Sequence, residues 1–295
     1  VSVRRLAIIG ASGQLGTALV EAFAGREVLT PAHAALDLQD RTALDAFLDN
    51  SKPELLINCA AFHHVDTCER EPGRAFAINA LAVDGAAEAC AARRIAFATI
   101  SSDYVFDGTL GRAYREDDAA NPRTAYGVSK LAGELLTRRH GARHYVFRAS
   151  GVFGTVGTSN KGYTLIEKVL QQAARDEPTR MVSDVIFSPT YAPDAARAIR
   201  DVVDAGIYGT HHITNAGACS WYEFVRTAFV KAGLADAPLE AVTYAALGNR
   251  TPRPMYSPLE NTTFSGAGIT PIRPWESALD AFLIARRSRL APSEV

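Results

Sequence analysis

The sequence predicts an α/β fold, a doubly wound parallel sheet followed by a smaller and looser C-terminal part. Three observations carry this. Short apolar runs alternate with helical segments through the first 150 residues, and such alternation implies βαβ units around a parallel sheet. A glycine-rich turn, Gly10-Ala-Ser-Gly13-Gln-Leu-Gly16, stands between the first strand and the first helix. Past Gly154 the alternation gives way to shorter, irregular pieces.

The elements follow in order. Leu6-Ala7-Ile8-Ile9 reads as a buried strand, and Leu15 to Ala24 as a helix closed by Gly25. Glu27 to Thr30 is a second strand and Arg41 to Leu48 a second helix. Leu55-Leu56-Ile57-Asn58 is a third strand, followed by an alanine-rich helix from Ala75 to Ala92. Ile95 to Ile100 is the fourth strand, Ala125 to Arg139 a helix, and His144 to Phe147 a fifth strand. Right-handed crossovers leave few ways to connect them. Beyond lie a Gly/Thr/Ser loop at Gly154–Gly162, a helix from Tyr163 to Ala174, and short strands near Met181–Val182 and Tyr208–Ile213. The latter two flank a helix from Asp194 to Val203; Trp221 to Ala232 is another helix, and Leu247 to Leu259 is proline-rich and irregular. Residues 1–150 are thus expected to form one domain, with a segment near 180–214 returning to it. Residues 151–295 make mainly a second part.

Bulk properties exclude several classes. A net charge of −1 over 295 residues gives no electrostatic reason to expect nucleic acid or a membrane surface. The paired arginines are dispersed. Cys59, Cys68, Cys90 and Cys219 form no C-x-x-C pair and no metal-ligand spacing, which suits a reducing compartment. The first residues run almost directly into a strand, without the apolar stretch and cleavage site of a signal peptide. No apolar run approaches the roughly 20 residues of a membrane span. A soluble, cytoplasmic protein is expected.

Glycines at this βα turn permit close approach of a pyrophosphate, and the helix N-terminus offers unpaired N–H groups. The fold expected is therefore Rossmann-type, with Gly10, Ser12, Gly13, Gln14 and Leu15 as candidate cofactor contacts. Cys59, Ala60 and Ala61 offer small residues where a cofactor must pass closely, and Asp37 and Leu38 lie near the adenine. The second strand ends at Thr30-Pro31 without an acidic residue to bind a ribose hydroxyl. NADPH, or use of both NADPH and NADH, is accordingly slightly favoured over strict NADH.

Tyr126-Gly-Val-Ser-Lys130 places a phenol and an ammonium at i and i+4, on one helix face. A nearby positive charge favours the phenolate, so Lys130 is expected to lower the pKa of Tyr126 and suit it to proton transfer. Ser102 and Asp103 follow the fourth strand, where ligands of open α/β sheets bind. Ser102 could there hydrogen-bond a reacting carbonyl.

Together these residues resemble the extended short-chain dehydrogenase/reductases, and more narrowly the dTDP-4-dehydrorhamnose reductase family. The likeness spans nearly the whole chain: Gly10 to Gly16, Asn58 to Glu69, Ser101 to Gly108, Tyr126 to Glu134 (YGVSKLAGE), and Arg148 to Gly154. It continues through Ser188-Pro189-Thr190-Tyr191, Ser220 to Phe224, and Arg253 to Ser257. The resemblance implies a catalytic triad of Ser102, Tyr126 and Lys130. It implies an NAD(P)H-dependent reduction of the 4-keto group of a nucleotide-linked 6-deoxyhexose, with Lys130 holding the nicotinamide ribose. The second part of the chain would then bind substrate. Related 4,6-dehydratases carry an Asp-Glu pair after the Ser/Thr, whereas here Asp103 is followed by Tyr104. The alternatives are a C4 epimerase and a non-catalytic subunit like the regulatory subunit of methionine adenosyltransferase, which shares motifs like Ile100 to Gly108.

Two departures bear on the substrate. Gly151 stands where the reductases usually have a tryptophan, which should leave a gap in the sugar pocket, and His63 replaces a small hydroxyl residue. Thr17-Ala18 lack the acid through which some relatives dimerise on a metal, so a monomer or a homodimer without a bridging metal is expected. Arg253, in the proline-rich loop, is a candidate for the substrate diphosphate. The candidate substrate contacts are Ser102, Asp103, Tyr126, Gly151 and Arg253. His63-His64, His211-His212, Asp117-Asp118 and the Trp221-Tyr222-x-Phe224 cluster read better as structural.

Overall fold

The structure, a computed structural model, describes residues 3–156, 164–248 and 251–290. Most of the loop expected at Gly154–Gly162, the helix start at Tyr163, and two positions within Leu247–Leu259 lie outside them.

β1 (Arg5–Ile9) is apolar, almost wholly buried, and ends at Gly10. α1 (Gln14–Ala22), β2 (Glu27–Leu29), α2 (Arg41–Ser51) and β3 (Leu55–Asn58) follow. α2 starts where it does because the Asp40 carboxylate accepts the Ala43 N–H, satisfying a donor the helix cannot. α3 (Val65–Arg70) and α4 (Pro72–Phe76) come next, with Pro72 in the first turn, where a missing N–H costs nothing. Ala77–Leu81 is a π turn leading into α5 (Ala82–Ala92). The alanine-rich helix therefore begins earlier than Ala75 and is interrupted, an insertion often found beside functional sites. Pro72–Ala92 is also apolar and long enough, by length and composition alone, to span a membrane, contrary to expectation; half of its most apolar window is buried in the fold, as in a core helix.

β4 (Ala96–Ser102) runs into a 3-10 turn, Asp103–Val105, and later come α6 (Ala125–Arg139) and β5 (His144–Ala149). The second half supplies β6 (Val152–Phe153), α7 (Leu165–Ala173), β7 (Thr179–Val182), β8 (Ile186–Phe187) and β9 (Thr190–Tyr191). It continues with α8 (Ala192–Ala205), β10 (Gly209–His212), β11 (Cys219–Ser220), α9 (Trp221–Ala232), β12 (Leu239–Val242) and α10 (Trp275–Leu290).

Six strands form one parallel sheet in the order β2-β1-β3-β4-β5-β10. The chain leaves β1 for one edge and then crosses back to β3, so the winding reverses between them. Open α/β sheets bind ligands in that crevice, beyond the carboxyl ends of the strands. One face packs Leu6, Ile8, Leu19, Ile57 and Ile199 beneath α1 and α8. The other packs Leu44, Leu48, Leu56, Val83 and Phe97 beneath α2 and α5.

A separate core joins α7, α9 and α10 through Leu170, Phe224, Phe229, Leu279 and Phe282. Antiparallel β8–β11 extends through a bridge from Ile186 to Tyr256. This small layer carries Ser257 to Asp103, at the end of β4.

Candidate active site

Gly10 opens the turn at φ +76, a left-handed backbone that suits glycine. A Cβ there would stand 3.0 Å from Ala60 N and 3.1 Å from the Cys59 carbonyl carbon, so the turn rests on the backbone that follows β3. A Cβ on Gly16 would lie 2.2 Å from Gly10 O. α1 has no side-chain cap and no acidic residue in its first turn, which leaves its N–H groups and positive dipole end for an anion. Gln14 Oε1 and Asn58 Nδ2 are buried without a hydrogen-bond partner among the described residues, and buried polar atoms normally have one. A dinucleotide fits such a cradle. Ser12 is exposed at the turn, and Leu15 is buried, so it can offer only backbone. Leu38 packs into the core, while Asp37 is half-buried and accepts the Gln39 N–H at 3.0 Å.

Tyr126 and Lys130 lie one turn apart on α6, which docks closely because glycines make room. A Cβ on Gly127 would lie 2.2 Å from Tyr104 O, and one on Gly133 2.2 Å from Asn79 O. Asn79, on the π turn, accepts the Phe62 N–H at 2.9 Å and donates to Phe62 O at 2.9 Å and Ser129 Oγ at 3.0 Å. The Ser102 hydroxyl donates to Asp103 Oδ1 at 2.9 Å and accepts the Tyr104 N–H at 3.2 Å. The Tyr126 phenol lies close enough to this hydroxyl for Ser102 to act on its proton affinity. Asp103 Oδ2 accepts Ser257 Oγ at 2.7 Å, and the Tyr104 and Tyr126 rings meet edge to face, centroids 5.5 Å apart. Ser102, Asp103 and Tyr126 form one cluster at the end of β4.

The electrostatics correct one expectation. Burial pushes the Tyr126 phenol up; the nearby Ser102 hydroxyl opposes this, and the neighbouring Asp103 and Tyr104 reinforce it. Lys130 is not among the main influences on the phenol. Its own pKa is lowered to about 8 by burial, against the favourable charge of Glu134. Desolvation thus outweighs a one-turn spacing for both groups. Burial also raises Asp103, against its bonds from Ser257 and Ser102.

Gly151 leaves no gap. At φ +49 its Cβ would stand 2.2 Å from Phe187 Cε2, because the Phe187 ring already fills the space. That ring is stacked on Trp221 at 3.9 Å. Arg253 donates to the Tyr104 hydroxyl at 3.3 Å, pairs with Asp66 at 3.5 Å and lies over the Tyr244 ring. Its Nε is buried and unpartnered among the described residues, so it is more than a surface charge. His63 is exposed, and His64 Nδ1 lies 2.9 Å from Thr67 Oγ1. His211 bonds Thr263 and Ile207, and His212 bonds Glu260 O. Phe224 is core, and Asp118 is held by Arg112.

Four residues at or beside this site were not foreseen: Asn79, Glu134, Phe187 and Ser257. Ser257 lies 154 positions from Asp103, and no local pattern announces such a pair. Glu134 had a visible signal, its four-residue spacing from Lys130, but its partners lie on strands.

The parallel sheet, the glycine turn after β1 and the Ser102–Asp103–Tyr126 cluster at the end of β4 match the extended short-chain dehydrogenase/reductase class. The family described as RmlD substrate binding domain matches residues 4–287. The chain belongs to this family, that of the dTDP-4-dehydrorhamnose reductases. It is 37% identical over 288 residues to the spore coat polysaccharide biosynthesis protein SpsK of Bacillus subtilis (strain 168), covering 96% of this chain and 98% of that protein. It is 34% identical over 284 residues to a dTDP-4-dehydrorhamnose reductase of Mycolicibacterium smegmatis, covering 95% of this chain and 85% of the relative. The solved dTDP-4-dehydrorhamnose reductase of Bacillus anthracis str. Ames, in complex with NADP, superposes with a TM-score of 0.91 at 29% identity, over 97% of this chain and all (100%) of that one.

Proposed function

We propose that this protein reduces the 4-keto group of a dTDP-linked 6-deoxyhexose, dTDP-4-dehydrorhamnose or a close analogue, with NADPH favoured over NADH. The observation that carries this is the cluster of Ser102, Asp103 and Tyr126 at the end of β4, in a chain whose relatives include named dTDP-4-dehydrorhamnose reductases. A bound nicotinamide cofactor supplies the hydride. Tyr126 donates its proton to the oxygen that becomes the alcohol. Burial keeps the phenol protonated at neutral pH, the form a donor needs. Ser102 bonds the same oxygen and is oriented by Asp103; donors aimed where charge develops lower the barrier. Lys130 holds the cofactor ribose. Gly10 to Leu15 hold the pyrophosphate, Asn58 and Cys59 to Ala61 line the path beside it, and Asp37 and Leu38 border the adenine.

Arg253 pairs with the substrate diphosphate, releasing Asp66, and Gly151 bounds the sugar pocket with Phe187 behind it. In this reading residues 1–150, with the returning segment near 180–214, bind the cofactor. The rest of 151–295 binds the sugar nucleotide. Tyr104 in place of a second carboxylate argues against dehydration.

The test follows loss of nicotinamide absorbance with a dTDP-4-keto-6-deoxyhexose. Tyr126→Phe should lower kcat about 10²- to 10⁴-fold while leaving NADPH affinity nearly unchanged. Wild type that binds NADPH but oxidises it with no 4-keto sugar nucleotide would sink the reading.

A further inference from the structure

Glu134 has no role in the chemistry above, yet it is bound from three sides. It stands one turn beyond Lys130 on α6 and is 1% exposed. Its Oε1 accepts from Ser101 Oγ at 2.5 Å and from Arg148 Nε at 2.9 Å. Its Oε2 accepts from Arg148 Nη2 at 2.7 Å and from Arg138 Nη2 at 3.1 Å. Ser101 and Arg148 are register partners on β4 and β5, and Ser101 immediately precedes Ser102. One carboxylate therefore joins the helix that carries Tyr126 and Lys130 to the strand end that carries Ser102.

The other contacts of α6 do a different job. Gly127 and Gly133 set how closely the helix approaches its neighbours, since both are places where backbone comes near. A close approach alone leaves a helix free to slide or rotate slightly. A two-pronged Arg–carboxylate bond fixes direction as well as distance. A helix rises about 1.5 Å per residue, and a displacement of about 1 Å at a reacting group costs on the order of a hundredfold in rate.

We propose that Glu134 is a positioning residue for the reduction: gripped by Ser101 and Arg148, it sets the placement of α6 so that the Tyr126 phenol meets the Ser102 hydroxyl. This rests on the roles proposed above for Tyr126 and Ser102. The same carboxylate supplies the charge that favours the ammonium form of Lys130.

The experiment compares wild type, Glu134→Gln, and Glu134→Gln combined with Arg148→Met. Gln keeps the size and one acceptor for Ser101 but loses the charge that Arg148 needs. Glu134→Gln should lower both Tm and kcat, kcat by on the order of tenfold to a hundredfold. The sugar-nucleotide KM should stay within roughly threefold, and NADPH affinity should fall less than kcat, since Lys130 moves with α6 while the Gly10–Leu15 turn does not. Removing the stranded guanidinium in the double variant should restore Tm and leave kcat low. Unchanged kcat in Glu134→Gln, or kcat returning together with Tm, overturns the proposal and makes the carboxylate a structural filler. Failure of the parent reading is seen separately, as wild type inactive with 4-keto sugar nucleotides. In that event crystal structures of wild type and Glu134→Gln decide: a Tyr126 phenol displaced from the Ser102 hydroxyl in the variant supports positioning, and an unchanged separation overturns it.

Discussion

Four hydrogen-bond donors converge on Glu134, whereas Lys130, one turn earlier on the same helix and nearly as buried, has no ion pair among the described residues. Burial acts on both charges, with opposite results. Burial would raise Glu134, yet the bonds from Arg148 and Ser101 outweigh it and hold the carboxyl below its ordinary value. Nothing comparable answers the desolvation of Lys130. A buried charge that is fully bonded fixes the relation between elements. One left without a partner weakens the fold, and it persists where a ligand completes it. The contrast separates what holds this site together from what the site keeps free.

The largest effect should come from breaking the bonded member. Arg148→Ala leaves the Glu134 carboxylate buried with its main partner gone, and urea unfolding should show a loss of about 3–5 kcal/mol. Lys130→Met removes a charge that is already unfavourable. It should leave stability equal or higher while kcat/KM falls about 10²-fold or more, as expected if Lys130 holds the cofactor as proposed. Equal destabilisation by the two substitutions would erase the contrast.

The pH dependence sharpens the same point. The Lys130 pKa falls from 10.5 to about 8 on folding, so the native state releases this proton first. Between pH 8 and 10.5 the unfolded chain binds more protons, and stability rises with pH across that window, by up to roughly 3 kcal/mol. Glu134, with its folded pKa depressed, contributes fully above its unfolded value of 4.5 and loses that contribution as pH falls through its folded value. The stability of wild type minus that of Lys130→Met, measured in urea, should therefore climb between pH 8 and 10.5. A flat difference would mean that Lys130 is solvated or paired in solution.

Legibility in the sequence followed the range of the interactions. Strands β3 and β4, buried among other strands, show as apolar runs, and α6 and α9 were expected at the bounds they have. The glycine turn was readable because steric demands at Gly10 and Gly16 fall on neighbouring backbone. α10 was missed because its core contacts, Leu279 and Phe282 against Phe224 and Phe229, come from a region without strand alternation. Tyr126 and Lys130 were found by spacing, but the sign of their pKa shifts was not, since spacing says nothing of water excluded by the rest of the fold. The Gly151 substitution was visible, and the ring that fills it, Phe187, was not. The Glu134–Arg148 pair joins a helix to a strand, and neither residue alone distinguishes an anchor from a surface charge.

The smallest effect tests which donors hold Glu134. Arg138 also reaches Oε2, at 3.1 Å, but its side chain is 36% exposed and it divides its bonding with Thr210 Oγ1 at 2.9 Å. Water competes for an exposed guanidinium, so Arg138→Ala should cost only about 0.5–1 kcal/mol in urea unfolding. The pH 8–10.5 rise assigned to Lys130 should survive it, because Glu134 would keep Arg148 and Ser101 and hence its charge. Arg148 differs in being buried at both ends of the bond, where nothing replaces a lost donor. A loss from Arg138→Ala as large as from Arg148→Ala would mean that the surrounding field of positive charge, and not the buried fork, holds the carboxylate. Glu134 would then resemble Lys130 in having no dedicated partner, and the division between anchoring and reserved charges on α6 would fail.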